Sequence, residues 1–255
     1  MITGGSRGIG AAVCRRAAKE GYSVAVNFHR DLISANNVVD DITNDGGIAF
    51  TVQADVSLEA DIIRMFDEVT ERLGVPSGLV NSAGVGGKHM LVSDFEKVEL
   101  EQLMQVNVIG TMLCCREASR RMSTQFGGSG GSIVNVSSMA STIGGRPGNS
   151  AYAASKAAVD AFTVGFAKEI GTQGVRVNAV RPGVTLTDMT STVRDNENVR
   201  KNIESTIAMQ RTADPDEIAV PILWCLSDEA SFCLLYTSDA ADDTPCVDLG
   251  GRRII

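Results

Sequence analysis

The stretch SAYAASK at 150–156 sets Tyr152 and Lys156 four positions apart at the start of a helical pattern, which stacks both side chains on one face. A free phenol titrates near pH ~10, so at neutral pH it is a poor general acid or base. An ammonium held beside it favours the phenolate and lowers that value. The pair can then pass a proton to or from a bound oxygen. Alone, a tyrosine and a lysine at this spacing could equally be a surface pair. Two upstream stretches argue for chemistry. IVNVSS at 133–138 ends a strand pattern on two hydroxyls, Ser137 and Ser138, and TGGSRGIG at 3–10 is rich in glycine where a first strand should hand over to a first helix. Glycines there let the backbone turn tightly and approach a phosphate, and the helix N-terminus adds amides and the positive end of its dipole. The spacing Thr-Gly-x-x-x-Gly-x-Gly differs from the commoner G-x-G-x-x-G.

These residues need a frame. Strand patterns fall at 22–28, 48–56, 78–84, 131–138 and 174–183, with helical periodicity at 10–20, 57–73, 99–126, 151–170 and 214–227. Repeated βα units imply a parallel sheet with helices on both faces and right-handed crossovers. The helix after Tyr152 is apolar on nearly every side, so it is expected to be buried in the core or against another subunit. GGSGGS at 127–132 reads as a surface turn, too short and too central to be a linker between domains.

Composition agrees. With 255 residues, 44% apolar, and 26 glycines, the chain suits one α/β domain. A net charge of −8 argues against nucleic acid or an anionic membrane as partner. No apolar run reaches the ~18 residues of a spanning helix, and no signal peptide precedes the first motif. Six cysteines without CxxC spacing argue against a metal site or a disulfide framework, so a reduced, cytoplasmic enzyme is expected.

TGGSRGIG, NSAG at 81–84, the serine at 138, YAASK at 152–156 and RPG at 181–183, in that order, resemble the short-chain dehydrogenase/reductase (SDR) family from about residue 3 to 232. Within it the chain looks most similar to bacterial glucose dehydrogenase-like and 3-oxoacyl-carrier-protein reductase-like members. The resemblance implies an oxidoreductase that interconverts a carbonyl and a secondary alcohol by hydride transfer. Tyr152 would be the general acid/base, with Lys156 also holding the nicotinamide ribose. Ser138, which matches the family position better than Ser137, would bond the substrate oxygen. Asn107 would hold a proton-relay water. By the same resemblance, Gly4, Ser6, Arg7, Gly8, Ile9, Gly10, Asp55, Val56, Asn81, Ala83, Gly84, Pro182, Gly183 and Thr187 would meet the dinucleotide, although Ser82 departs from the family's usual Asn-Asn-Ala-Gly. A homotetramer is implied. A non-catalytic dinucleotide sensor on the same fold is the alternative.

An acid at the end of the second strand favours NAD, and a base there favours NADP. This strand ends VNFHRD, with Asn27 where NAD enzymes would want Asp, and Arg30 and Arg7 as cations, so NADP(H) is favoured over NAD(H). Asp31 opposes this, though it also reads as a helix N-cap. The loop at about 184–212 should cover the substrate, but its composition leaves 3-oxoacyl and sugar substrates unresolved. Arg116, Arg120 and Arg121 could dock an acidic carrier protein or form a plain solvated face.

The expected fold is a single-domain Rossmann-type doubly wound parallel sheet flanked by helices, spanning 1–232 and truncated at its first and last strands. Only Met1 and Ile2 precede Thr3, too few for a well-paired central strand. Residues 233–255 read as a non-native tail, because CLLYTSDAAD and VDLGGRRII are what the two arms of a sequencing adapter would encode in one frame. The family's closing strand is therefore expected to be missing.

Overall fold

A computed structural model describes residues 1–234 and 237–239. Its strands and helices alternate. The chain runs β1 (Ile2–Thr3), α1 (Gly8–Lys19), β2 (Val24–Phe28), α2 (Leu32–Asn44), β3 (Ala49–Gln53), α3 (Glu59–Leu73) and β4 (Gly78–Asn81). It continues through α4 (Lys97–Met104), a π-helical turn (Gln105–Gly110), α5 (Thr111–Met122), β5 (Gly131–Val136), α6 (Ala140–Ile143), α7 (Ser150–Ile170) and β6 (Val175–Arg181). The final elements are α8 (Ser191–Asp195), α9 (Glu197–Glu204), α10 (Pro215–Leu226) and β7 (Thr237–Asp239). The strands form one parallel sheet in the order β3-β2-β1-β4-β5-β6-β7. The order reverses beside β1, so the crevice between β1 and β4 opens where open α/β sheets bind ligands.

Both shortened ends nonetheless pair in the sheet. Two residues of β1 suffice to pair on both sides, Ile2 with Val26 and Val80, and Thr3 with Asn81. Met1 extends the pairing, its amine donating to the Gly78 carbonyl at 2.9 Å and its carbonyl accepting from Val80 at 2.9 Å. Long flanking strands already fix the register, so the short one needs only to fill it. At the other edge, Thr237–Asp239, within the suspected tail, pairs in parallel with Ala179–Arg181. The rest of the suspected tail beyond Leu234 lies outside the described residues.

Apolar side chains of the strands feed two cores, one on each sheet face. One is built on α1, α2 and α10 with Val13, Val26, Val38, Ile218 and Ile222. The other is built on α3, α5 and α7 with Ile62, Phe66, Met122, Ile133 and Ile170. Helix α7 buries Ala153, Lys156, Val159, Asp160, Thr163, Phe166 and Ala167 along one side, while Ala157, Ala158, Phe162 and Val164 on the other side are half-buried. At the GGSGGS stretch, Gly127 caps a turn at φ 86° after α5 and Gly131 opens β5, so it is a tight turn from helix into strand.

The three arginines of α5 face inward and sideways. Glu117, 3% exposed, takes Arg116, Arg120 and Arg121, while Arg116 also reaches Glu59 and Arg121 reaches Asp67. Three cations meet three carboxylates, which leaves no net positive face for an acidic partner.

Candidate active site

The glycine loop is built so that only glycine fits. Gly4 has φ 62°, and a Cβ there would lie 2.8 Å from the Ala83 Cα. A Cβ on Gly10 would lie 2.3 Å from the Gly4 carbonyl oxygen. Helix α1 begins at Gly8 with an extended Arg7 whose side chain caps nothing, and no acid sits in its first turn. The first-turn amides are thus left for an anion, which is the fit a dinucleotide pyrophosphate needs. Thr3, 1% exposed, locks the loop to its neighbour: its hydroxyl accepts from the Ser82 and Ala83 amides, both at 3.1 Å. Sequence reasoning gives Thr3 no role of its own, and its position in a paired strand opposite Asn81 is the signal that could have found it. Ser6 and Ile9 lie half-buried beside the loop.

Asn27 is not at the strand's polar tip. It is 2% exposed, its carbonyl oxygen accepts from the Gly4 amide at 3.0 Å, and its amide donates to the Val52 and Ala54 carbonyls. It holds the glycine loop rather than presenting a group to a ribose. The tip consists of His29, Arg30 and Asp31. Asp31 caps α2 by accepting from the Ser34 amide at 3.0 Å, and His29 pairs with Asp55 at 3.2 Å. Arg7 stands 3.4 Å from Asp188 and 4.0 Å from Asp31, whereas Arg30 is exposed and pairs with no acid among the described residues.

Across the crevice, Asn81 is buried and donates to Asn135 at 2.9 Å; its own carbonyl oxygen is buried without a partner among the described residues. A Cβ on Gly84 would stand 3.3 Å from Asn107 Oδ1 and 3.5 Å from Lys156 Nζ, so glycine leaves room between them. Asn107, fully buried, sits in the π-helical turn. Its side chain is clamped to Val85, accepting from the amide at 2.8 Å and donating to the carbonyl at 2.9 Å, with a further bond to Ser155 at 3.1 Å. Such π turns interrupt helices where a side chain must be re-aimed. Val56 is buried and its carbonyl lies 2.5 Å from where a Gly110 Cβ would be, which fixes the turn against the loop after β3.

Ser137 and Ser138 divide their roles. Ser137 is 3% exposed and donates to the Lys156 carbonyl at 3.2 Å, which ties β5 to α7. Ser138 is half-buried; its hydroxyl accepts from the Ala140 amide at 3.1 Å and pulls the Tyr152 phenol down. Lys156 lies one turn beyond Tyr152, with Nζ 5.9 Å from the phenol ring centroid. The expected lowering of the phenol by Lys156 is not what the structure gives. Burial raises the Tyr152 phenol, with the Ser138 bond pulling it down, and burial lowers Lys156 to about 8 while Asp160 raises it. The lysine's hydrogen bond goes to the Val136 carbonyl at 2.8 Å. Desolvation penalises the charged form of both groups at once and is the largest cause for each.

The far wall comes from β6. Pro182 is buried and its carbonyl accepts from Met139 at 3.0 Å. Gly183 accepts from Thr185 at 3.1 Å. Thr187 closes on the glycine loop, its methyl group 3.1 Å from where a Gly8 Cβ would be. The loop at 184–212 carries α8 and α9, and a bridge between Thr185 and Ala213 staples its base. Tyr152, Lys156, the glycine loop and the 184–212 loop therefore converge at the carboxyl ends of the strands.

A family model described as enoyl-(acyl carrier protein) reductase matches residues 4–235. The chain is 43% identical to the uncharacterized oxidoreductase YgfF of Escherichia coli over 91% of this chain and 94% of that protein. It is 32% identical to glucose 1-dehydrogenase 2 of Bacillus subtilis (91% and 88%) and 33% identical to the 3-oxoacyl-[acyl-carrier-protein] reductase FabG of Staphylococcus aureus (91% and 92%). A dehydrogenase/reductase structure from Sinorhizobium meliloti superposes with a TM-score of 0.87 at 32% identity, covering 95% of this chain and 93% of that one. The fold and site define a nucleotide-dependent oxidoreductase. The chain belongs to the short-chain dehydrogenase/reductase family. No described helix is long and apolar enough to cross a membrane.

Proposed function

We propose that the protein is an NADP(H)-dependent oxidoreductase that interconverts a small carbonyl and a secondary alcohol, with Tyr152 handling the proton. The observation that carries this reading is the meeting of Ser138, Tyr152 and Lys156 next to a loop where Cβ atoms would collide. When bound, the dinucleotide supplies or accepts the hydride. The Ser138 hydroxyl orients the substrate oxygen towards the phenol. Tyr152 donates its proton in reduction and takes it back in oxidation. Lys156 keeps a cation at the phenol's base, and Asn107, held rigidly by Val85, fixes the backbone beside it.

Arg30 supports the 2′-phosphate reading, because no carboxylate among the described residues occupies its guanidinium and Arg–phosphate pairing is bidentate. Arg7 contributes less, since Asp188 and Asp31 already draw on it. The names of the relatives leave acyl thioesters and sugars both open as substrates. The half-buried side of α7, with Phe162 stacked on Phe166 at 5.4 Å between centroids, supports a homotetramer. Cys14, Cys114, Cys115 and Cys225 are buried free thiols, which supports a reducing, cytoplasmic setting.

The test is fluorescence titration of NADPH and NADH, with NADPH-dependent turnover of a ketone panel that includes 3-oxoacyl thioesters and sugar lactones. The parent should bind NADPH more tightly and reduce at least one ketone class. Arg30→Ser should weaken NADPH by about 10-fold or more, the value of a charge-assisted bond, and leave NADH nearly unchanged. Equal loss for both cofactors would overturn the phosphate assignment. Tight NADPH binding with no turnover of any carbonyl would instead favour a sensor.

A further inference from the structure

One buried ion pair beside the proposed proton site has no role in the mechanism above. Asp160 follows Lys156 by four residues on the buried side of α7, and is 8% exposed. Its Oδ2 accepts from Arg181 Nε at 2.9 Å, while Oδ1 is buried with no hydrogen bond among the described residues. Arg181 ends β6 immediately before Pro182, so the pair ties the helix of the lysine to the strand that launches the covering loop. Burying two charges is costly, and a carboxylate with one oxygen unsatisfied is a poor way to gain stability. That arrangement makes sense where the charge itself is needed.

We propose that Asp160, restrained by Arg181, is a positioning residue that sets the pH at which the Tyr152–Lys156 pair loses its first proton. The inference rests on the reading of Tyr152 and Lys156 as the proton-handling pair. Among the described residues, the groups near Lys156 are Tyr152 and Asp160 from its own helix, the Val136 carbonyl from β5, and Asn107 Oδ1 beside Gly84 from the π-helical turn. Asp160 faces Arg181 from β6, and Asp239 stands opposite Arg181 in the β6–β7 register. Burial works against the ammonium, and Asp160 is the group that works for it.

The sign of each effect follows from charge alone. In the reduction direction the active form has a protonated phenol beside a charged lysine. The alkaline limb of kcat therefore reports loss of the first proton from the coupled pair, whichever group releases it. A nearby anion holds that proton, and a nearby cation expels it.

The experiment is the pH profile of kcat for carbonyl reduction, alongside thermal melting. Asp160→Asn should move the alkaline limb to lower pH by about one unit, the low end for a close opposite charge. Arg181→Gln should move it to higher pH, because the carboxylate is then no longer shared. Asp160→Glu should restore the parental limb. Limbs that stay in place while melting temperatures fall, or that move in the same direction in both variants, would overturn the proposal and leave the pair a structural tie. Should Arg181→Gln fail to fold, the contrast between Asp160→Asn and Asp160→Glu decides alone. Tyr152→Phe run in parallel separates the two levels: if it retains turnover, the reading of the pair fails, whereas a dead Tyr152→Phe with an unmoved Asp160→Asn limb sinks only this inference.

Discussion

Tyr152→Phe should lose roughly 10²- to 10⁴-fold in kcat for carbonyl reduction, the range for removing a positioned general acid, while NADPH binds as tightly as to the parent. Phenylalanine keeps the ring that packs on α7 and faces Lys156, so the helix and the lysine have no reason to move. What disappears is the hydroxyl that meets Ser138 and the proton it carries. The surfaces that would take the cofactor's phosphates lie on the glycine loop and the first turn of α1, which hold together through Thr3 and Asn27 and never touch the phenol. Stopped-flow turnover paired with a binding titration reads both quantities. Retention of most activity would rule out Tyr152 as proton donor. Loss of binding together with activity would mean that the side chain shapes the cofactor site itself.

The frame of the site is legible in the sequence because each of its strands obeys a local rule. Strand patterns at 22–28, 48–56, 78–84, 131–138 and 174–183 enclose β2 to β6 with errors confined to their ends, since buried parallel strands read as short apolar runs between turns. Helix α2 escapes the periodicity although Asp31 reads as a cap. LISANNVVDDITN is rich in Asn, Asp, Thr and Val, which are poor helix formers, and it folds as a helix because Ala35, Val38 and Ile42 dock on the sheet. The π-helical turn is hidden inside what reads as one long helix at 99–126. Nothing in QVNVIG marks the change locally; it follows from the Asn107 clamp on Val85 and the close approach of Gly110 to Val56, both long-range contacts.

Side-chain assignments follow the same logic. Just past β5, Ser137 is spent on the Lys156 carbonyl, while Ser138 stays half-buried and acts on the phenol. Asn27 misleads because a polar residue near a strand end looks like a ligand. The next positions, His29 and Arg30, are the ones past the last ladder pair, Phe28 with Gln53. The Tyr152–Lys156 spacing reveals the neighbours but not the balance of their ionisation. Burial is a property of the whole fold, and i,i+4 geometry cannot reveal it.

Glu117→Gln is expected to be the most damaging single change away from the site. The carboxylate is buried under three guanidiniums, from Arg116, Arg120 and Arg121, and its helix α5 packs on α3 through the Arg116–Glu59 and Arg121–Asp67 bridges. Burial by itself would raise the Glu117 carboxyl. The hydrogen bonds from Arg121 and Arg116 more than offset that, so it is held below its usual value. Glutamine matches the shape but removes the charge, which leaves Arg121, 17% exposed at its side chain, as a half-buried cation with only Asp67 to balance it. Removing one member of a buried pair costs about 3–5 kcal/mol. For a domain of this size that is roughly 10 °C in melting temperature. The pH dependence carries a second signature. A carboxyl lowered by folding contributes stability that is fully present above its unfolded value near 4.5 and is lost as pH falls through the folded value. The parent should therefore lose this contribution on acidification below about pH 4.5, while Glu117→Gln, already without it, should show a shallower acid decline. Parallel melting curves from pH 7 to pH 3 measure both. A variant as stable as the parent at pH 7 would mean that Glu59 and Asp67 suffice for the three arginines, and that the buried carboxylate is redundant.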